Sequence, residues 1–302
     1  MLTKVTCGAA YHMKTASRKQ KTFKWQVWAE LLRLPNLFTV PGDILVGWTL
    51  AGLRGGFPVL PIVASLCLYA AGLLLNDVCD AKIDAKERPL RPIPSGRVKR
   101  CVVFGVAVVL ALLGVLCSGS GLPIAVVLLG LIIFYDTLAK HIPWVGVITM
   151  GCCRGMNLYL GAASSWPMGE TPCSPFMLGA ILFFTGYIVL VSVIAKHEAD
   201  PKIKTVRHRL LAPVLTLLLV PFFVWFDRGL AWPPLVVAAL MLGFVLRKQR
   251  LPALVAGLIR FLIPLQLTWC LAMFQSHTLA IIALLLSCWA GAMVSARRFA
   301  GS

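Results

Sequence analysis

Charged side chains are scarce in this sequence, and acidic ones are the scarcest. Only 13% of the 302 residues are Asp, Glu, Lys or Arg, whereas a soluble globular domain carries about 25%. Eleven acidic residues stand against 29 basic ones, which gives a net charge of +18. This shortage excludes an ordinary soluble domain. It also makes each acidic side chain next to an apolar segment a candidate for function.

Patterned metal-binding residues are missing as well. The ten cysteines contain no C-x-x-C pair and no zinc spacing, and the five histidines show no mutual ligand spacing. These absences exclude zinc sites of the common types. Several cysteines lie inside apolar runs, where we expect them to act as small apolar residues rather than as a disulfide framework.

Long apolar runs make up most of the chain. The sequence is 59% hydrophobic with a mean hydropathy of +0.85, and its apolar runs reach the roughly 20 residues that a helix needs to cross a bilayer. This pattern predicts an all-α fold, a polytopic bundle of transmembrane helices. The predicted spans are 34–53, 58–76, 100–118, 121–139, 143–163, 175–195, 210–227, 231–246, 253–273 and 278–297.

Basic residues are dense in every second predicted loop and sparse in the loops between. The basic stretches lie before residue 33 and near residues 82–100, 140–141, 196–209 and 247–250. Cytoplasmic loops are enriched in Lys and Arg, so these stretches predict a cytoplasmic N-terminus. We therefore predict a basic cytoplasmic segment over residues 1–33 and a transmembrane domain over residues 34–298. The charge suits membrane lipid headgroups, and no nucleic acid partner is expected.

The densest polar stretch, here called the acidic segment, covers residues 76–96 and reads NDVCDAKIDAKERPLRPIPSG. Asp77, Asp80 and Asp84 are spaced so that they share one face of a helix. Carboxylates gathered at a membrane surface repel one another unless a cation lies between them. Because Mg²⁺ prefers oxygen ligands and is usually shared with a substrate phosphate, we predict that these carboxylates hold Mg²⁺.

Four further residues on the same side of the membrane are candidate phosphate ligands. Arg88 and Arg91 carry the planar guanidinium that grips phosphate oxygens. Tyr135 and Lys140 lie at the cytoplasmic end of the fourth span. Asp136 precedes Lys140 by four residues, and an ion pair at a solvated helix end would explain that spacing alone. Both interpretations of this helix end stay open.

Polar residues also occur at depths where a membrane makes them costly. Asn36, Thr39 and Asp43 share a face of the first span, and Arg154 and Asn157 share a face of the fifth. For the first set we favour a cavity-facing role over a polar stripe that holds helices together. A buried arginine needs a carboxylate, a cavity or a phosphate. Arg154 therefore either pairs with Asp43 or contacts an anionic substrate, and the sequence does not separate the two.

A second acidic pair, Glu198 and Asp200, follows the sixth span. Carboxylates two residues apart do not share a helical face, so both can bind one metal ion only if the helix has ended. Pro201 makes an ending there plausible. The alternative is an ordinary charged helix end at the membrane surface.

The acidic segment resembles the first aspartate-rich motif of the UbiA family of intramembrane prenyltransferases, N-D-x-x-D-x-x-x-D with an R-P-[IL]-P-S-G tail. Weaker similarity lies in Arg33–Thr39, Tyr135–Lys140 and Arg154–Gly161, and the last of these is similar to a pattern in bacterial branches. The resemblance implies nine helices around a membrane-embedded cavity, in an integral protein of a bacterial inner membrane. It also implies a polyprenyl diphosphate held by Mg²⁺ at the cytoplasmic mouth, and transfer of its prenyl group to a small, aromatic acceptor.

The resemblance, together with the chemistry above, assigns an expected role to each candidate residue. The expected catalytic residues are Asp77, Asp80, Lys140 and Arg154. The expected substrate-binding residues are Asn36, Asn76, Arg88, Arg91, Tyr135 and Asn157. The expected metal ligands are Asp77, Asp80, Asp84, Glu198 and Asp200.

Three features depart from the family's pattern. The second motif, usually D-x-x-x-D, is reduced to Glu198-Ala199-Asp200. The spacing from Tyr135 to Lys140 is one residue longer than the common Y-x-x-x-K, and hydropathy predicts ten spans instead of nine. The reduced second motif leaves an alternative open, in which the protein is a non-catalytic relative that binds or transports an isoprenoid or another lipid.

Overall fold

A computed structural model describes residues 24–196 apart from 169 and 171–173, the single residues 239 and 243, and residues 251–271 and 277–298. Every regular element in these ranges is a helix, which confirms the all-α prediction. The α-helices are α1 (Lys24–Leu31), α2 (Leu34–Leu37), α3 (Pro41–Leu50), α4 (Val59–Glu87), α5 (Arg100–Leu116), α6 (Leu122–Thr137), α7 (Pro143–Ala163), α8 (Pro175–Lys196), α9 (Leu251–Leu271) and α10 (Thr278–Arg298).

Several of these helices have the dimensions of membrane spans. Within the described part of the chain, five helical segments are long and apolar enough to cross a membrane: α4, α6 with the 3₁₀ turn before it, α8, α9 and α10. α5 is a shorter apolar helix, and α7 occupies the predicted span at 143–163. The predicted spans at 210–227 and 231–246 lie outside the described residues.

The first predicted span, 34–53, is wrong as a single helix. α2 ends at Leu37 and α3 begins at Pro41. Proline lacks a backbone N–H and suits the first turn of a helix, so Pro41 starts a new helix where it would interrupt a continuous one. All ten residues of α3 are buried, so this helix lies inside the bundle and does not face lipid.

α4 extends well beyond the span predicted at 58–76 and continues to Glu87. Residues 77–87 contain neither proline nor glycine, and their alanines, lysines and glutamate favour a helix. The apolar first part of α4 therefore crosses the bundle, while its last three turns carry Asp77, Asp80 and Asp84 to one end of it. The predicted helical placement of these three aspartates is confirmed.

The backbones of α3 and α7 lie close together at a glycine of each helix. A Cβ atom added at Gly161 would collide with the backbone of Ile44, and one added at Gly47 would collide with the carbonyl of Leu158. Small residues of this kind let helix backbones come close in a membrane, where packing rather than the hydrophobic effect holds helices together. The close approach places the polar residues of the two helices next to each other.

Gly161→Ala is expected to lower the free energy of unfolding by about 1–3 kcal/mol, because the added methyl group forces the two backbones apart. Gly130→Ala is the matched control, since a Cβ on that residue of α6 meets nothing within 4 Å. The control variant should be neutral or slightly more stable, as alanine favours a helix over glycine. Thermal unfolding in detergent measures both changes, and equal losses would contradict the close packing.

The helices surround a cavity of about 380 Å³. Polar residues surround one end, among them Arg33, Asn36 and Asn76, while much of the wall is apolar and comes from α4 and from α6 to α9. A cleft of about 1180 Å³, here called the rim cleft, lies at the end of α4. Arg33 and Tyr135 line both spaces, so the rim cleft leads into the cavity.

Candidate active site

The aspartates of the acidic segment pair with Arg91, one of the predicted phosphate ligands. Arg91 Nη1 donates to Asp84 Oδ2 at 2.9 Å and to Asp77 Oδ1 at 3.3 Å. Both aspartates are buried, whereas the side chain of Asp80 is 22% exposed. Arg91 therefore lies across the carboxylates in this structure. Arg88, the other predicted arginine, caps the end of α4 and lines the rim cleft.

The loop that carries Arg91 is fastened to α1. Arg97 donates from Nη1 and Nη2 to the two carboxylate oxygens of Glu30, at 2.7 Å and 2.9 Å. A bidentate pair of this kind fixes orientation as well as distance. Arg97 also donates to the Leu90 carbonyl at 2.7 Å. This clamp holds the loop folded back over α4, which keeps Arg91 close to the aspartates.

Two more cations reach the acidic segment from other helices. Lys140 Nζ lies 2.6 Å from Asp80 Oδ1 and donates to Asn76 Oδ1 at 3.3 Å. Arg33 Nη2 lies 3.5 Å from Asp77 Oδ1. The structure thus brings Asn76, Asp77, Asp80 and Lys140 together. Each of the three aspartates of the segment has a basic partner.

The aspartates fit Mg²⁺ by their chemistry. In the described ranges, no group of three or more His, Cys, Asp and Glu side chains is arranged to hold a metal ion. Asp77 and Asp84 are seven residues apart on one helix, roughly 10 Å along its axis, but one oxygen of each carboxylate lies within 3.3 Å of Arg91 Nη1. Mg²⁺ is usually bound by only one or two carboxylates, with waters and substrate phosphates completing its octahedron. Two neighbouring aspartates satisfy that requirement. Glu198 and Asp200 lie outside the described residues.

The end of α6 differs from one of the two interpretations of its sequence, the solvated ion pair of Asp136 and Lys140. α6 ends at Thr137, and a 3₁₀ turn at Ala139–His141 directs Lys140 toward α4 and Asp80. No ion pair joins Asp136 to Lys140 within the described structure, and Asp136 is only 3% exposed. The expectation of a solvated pair is therefore wrong, because the helix stops before the spacing can bring the two charges together. Tyr135 and Asp136 both line the cavity.

A buried polar network lies deeper, between α3, α7 and α9. Asp43 is fully buried, and its Oδ2 lies 2.7 Å from Arg154 Nε. Asn157 Nδ2 donates to Asp43 Oδ2 at 2.8 Å, and Gln266 Nε2 donates to Asp43 Oδ1 at 2.7 Å. Ser65 donates to Asn157 Oδ1 at 2.6 Å. Of the two alternatives for Arg154, the structure contains the pair with Asp43.

Three residues of this network, Ser65, Arg154 and Asn157, also line the cavity. Of the set for which a cavity-facing role was predicted, Asn36 and Thr39 line it, whereas Asp43 is buried against Arg154 and does not. The cavity thus has two polar regions. One is the buried network, and the other contains Arg33 and Asn76 near the rim cleft. An anion at the rim cleft and a polar group deeper in the cavity would both find hydrogen-bond partners.

Most of the sequence matches the model of one known protein family. Residues 44–256 match the model of the UbiA prenyltransferase family, and this range includes most of the buried network and the whole acidic segment. The chain belongs to the UbiA prenyltransferase family. The resemblance based on the acidic segment is confirmed.

Curated relatives of this UbiA-family chain are similar to parts of it. A digeranylgeranylglyceryl phosphate synthase of Methanopyrus kandleri is 30% identical over 169 residues, which cover 54% of this chain and 60% of the relative. The synthase of Methanothrix thermoacetophila is 31% identical over 149 residues, covering 47% and 56%. A 4-hydroxybenzoate octaprenyltransferase of Sodalis glossinidius is 29% identical over 167 residues, covering 50% and 53%. The chain thus spans little more than half the length of these relatives.

Solved structures share the fold at low sequence identity. A UbiA homolog from Aeropyrum pernix K1 superposes with a TM-score of 0.55 at 14% identity, covering 86% of this chain and 97% of the homolog. A UbiA homolog from Archaeoglobus fulgidus bound to DMAPP and Mg²⁺ gives 0.52 at 12% identity, covering 91% and 99%. These likenesses confirm the predicted helical fold of the UbiA family. They include archaeal proteins, so the bacterial inner membrane stays a prediction without support.

Several site residues of this UbiA-family chain were missed in the sequence. Gln266 and Ser65 complete the buried network, and the clamp of Glu30 and Arg97 positions the loop. Asp136 lines the cavity, and its Oδ2 atom has no hydrogen-bond partner in the described part of the chain. Of these residues, Gln266 is the one that the sequence could have indicated, because an amide inside an apolar run needs a buried hydrogen-bond partner. The clamp joins residues 67 positions apart, a distance over which sequence spacing carries no information.

Proposed function

We propose that this protein transfers the prenyl group of a prenyl diphosphate to a small, hydroxyl-bearing acceptor, with Mg²⁺ as cofactor. The observation that carries the proposal is the junction of two opposite environments. Asp77, Asp80 and Asp84, with three cations around them, lie at the end of an apolar cavity of about 380 Å³. A prenyl diphosphate is divided in the same way, into a charged head group and an apolar chain.

Two or more of the aspartates would hold Mg²⁺, which neutralises the charge of the departing diphosphate and orients it. Arg33, Arg91 and Lys140 now pair with the aspartates, and they are placed to turn toward phosphate oxygens instead. Arginine suits this exchange because its fork binds phosphate as it binds carboxylate. Lys140 acts as a point charge between Asp80 and Asn76.

The cavity would protect the prenyl carbon that loses its diphosphate. Its walls include apolar residues such as Ile132, Ile188 and Leu262, which exclude water from an allylic cation. Tyr69 and Tyr135 also line it, and aromatic faces attract cations. Water exclusion favours attack by the bound acceptor over hydrolysis.

The acceptor is proposed from chemistry that two sets of relatives share. The archaeal relatives are named for a glyceryl phosphate that carries two geranylgeranyl groups, so a precursor with one such group has a free hydroxyl. The bacterial relative is named for 4-hydroxybenzoate, which has a phenolic hydroxyl. A hydroxyl-bearing acceptor agrees with both names. The small aromatic acceptor that the resemblance implies is a narrower class, and it agrees with the bacterial relative alone.

The proposal places the acidic segment and the N-terminus at the cytoplasmic face. Its support is the basic character of residues 82–100 and 140–141, which lie at the end of the bundle that holds the aspartates. The competing proposal is a protein that binds or moves an isoprenoid without catalysis. The ion pairs that close over the acidic segment, and the short Glu198–Asp200 motif, are the features that favour it.

Purified protein with Mg²⁺ and geranylgeranyl diphosphate is expected to release diphosphate and prenylate geranylgeranylglyceryl phosphate or 4-hydroxybenzoate. Chelation of the metal with EDTA should stop turnover, and added Mg²⁺ should restore it, because the carboxylates alone repel the diphosphate. Product formation is followed by mass spectrometry. Tight, Mg²⁺-independent binding of the prenyl diphosphate without any product would instead support the non-catalytic alternative.

A further inference from the structure

Asp136 is a buried carboxylate that neither the metal site nor the phosphate site uses. It lies in the last turn of α6, is 3% exposed and lines the cavity. Its Oδ2 atom is buried and has no hydrogen-bond partner among the residues that the structure describes. A buried polar atom left without a partner destabilises the folded protein. Such a cost at a cavity wall points to a partner that arrives with a ligand.

The neighbouring cations are already engaged. Lys140, the nearest base in sequence, lies 2.6 Å from Asp80. Arg33 pairs with Asp77, and Arg154 pairs with Asp43. Asp136 forms an ion pair with none of these three, although it borders the same cavity as the two arginines.

The proposed diphosphate and its metal ion are not the ligands of this carboxyl group, because they belong at the rim cleft, which Arg33, Lys140 and Asp77 line and Asp136 does not. What remains is a neutral hydrogen-bond donor. In either protonation state a carboxyl group has an oxygen that accepts a hydrogen bond, and that bond has to come from an O–H or N–H of the ligand.

We propose that Asp136 binds the acceptor by accepting a hydrogen bond from its hydroxyl group, and so selects acceptors that carry a free hydroxyl. The inference rests on the proposed function. Rotation about the soft χ2 torsion of aspartate can present either carboxylate oxygen to the cavity without moving α6. Sites that hydrogen-bond a substrate hydroxyl reject analogues without it strongly, because the buried protein group is then left unpaired.

Asp136→Leu tests the inference, with Thr137→Ala as the control at the neighbouring exposed position. For whichever of geranylgeranylglyceryl phosphate and 4-hydroxybenzoate the wild type prenylates, the leucine variant should raise the KM at least tenfold. The KM for geranylgeranyl diphosphate should stay within about twofold. The O-methyl ether of the same acceptor, tested as a competitive inhibitor, should bind the leucine variant at least as well as it binds the wild type.

Thermal stability separates this role from a structural one. Asp136→Leu should raise the midpoint of unfolding of the ligand-free protein, because it removes an unpaired polar group from an apolar wall. A lower midpoint together with an unchanged acceptor KM would overturn the inference, since Asp136 would then support the fold. A changed KM for the prenyl diphosphate alone would also overturn it. Wild-type protein that prenylates neither acceptor would remove the proposed function itself, which is a different result.

Discussion

Asp80→Ala is expected to lower the rate of prenyl transfer by about 100- to 1000-fold, because it removes a carboxylate on which charge neutralisation at the diphosphate depends. Asp80 is the most exposed of the three aspartates in the acidic segment, and its partner is Lys140 at 2.6 Å. Loss of Asp80 frees Lys140 to contact a phosphate directly. The variant should therefore lose the Mg²⁺ dependence of prenyl diphosphate binding more completely than it loses binding itself.

Titration of geranylgeranyl diphosphate with and without Mg²⁺, for wild type and variant, measures that separation. Lys82→Ala is the matched control, since Lys82 is an exposed charged residue two positions further along α4. It should leave both turnover and the Mg²⁺ effect unchanged. If Asp80→Ala kept the Mg²⁺ dependence of binding and lost only turnover, Asp80 would act on the reaction without holding the metal.

The helical placement of the acidic segment was predictable because it depends on residues that are close together in the sequence. The spacing of Asp77, Asp80 and Asp84 specifies a helical face, and the sequence between them favours a helix. α4 confirms that reading. The apolar runs likewise predicted most of the described helices, since the length needed to cross a bilayer is a property of consecutive residues.

What the sequence did not predict depends on contacts between distant residues. Arg91 was expected at a phosphate and instead bridges two carboxylates, a choice set by how the loop folds back and by the clamp of Glu30 and Arg97. Asp136 was expected in solvent and is buried, because α6 ends one turn before Lys140. Composition and spacing cannot specify where a helix end meets its neighbours.

The second large effect concerns the pair of Asp43 and Arg154. Asp43→Asn is expected to lower the free energy of unfolding by about 3–5 kcal/mol, because it leaves the buried Arg154 without its counter-charge. The asparagine keeps the size of the side chain, but it has one acceptor oxygen where Asp43 uses two, so it also loses the hydrogen bond from Asn157 or the one from Gln266. The loss therefore reports the charge pair together with one hydrogen bond of the network. Unfolding in detergent with increasing SDS measures it.

The double variant Asp43→Asn with Arg154→Met decides what Arg154 does. Removing both charges avoids the unpaired buried ion, so the double variant should recover at least about 2 kcal/mol of the single variant's loss. If Arg154 serves only the fold, substrate affinities should recover along with stability. If it contacts a substrate as its place in the cavity lining allows, stability should return while the KM for one substrate stays raised. The substrate whose KM stays raised identifies which ligand Arg154 touches, since Arg154 lines the cavity and Asp43 does not.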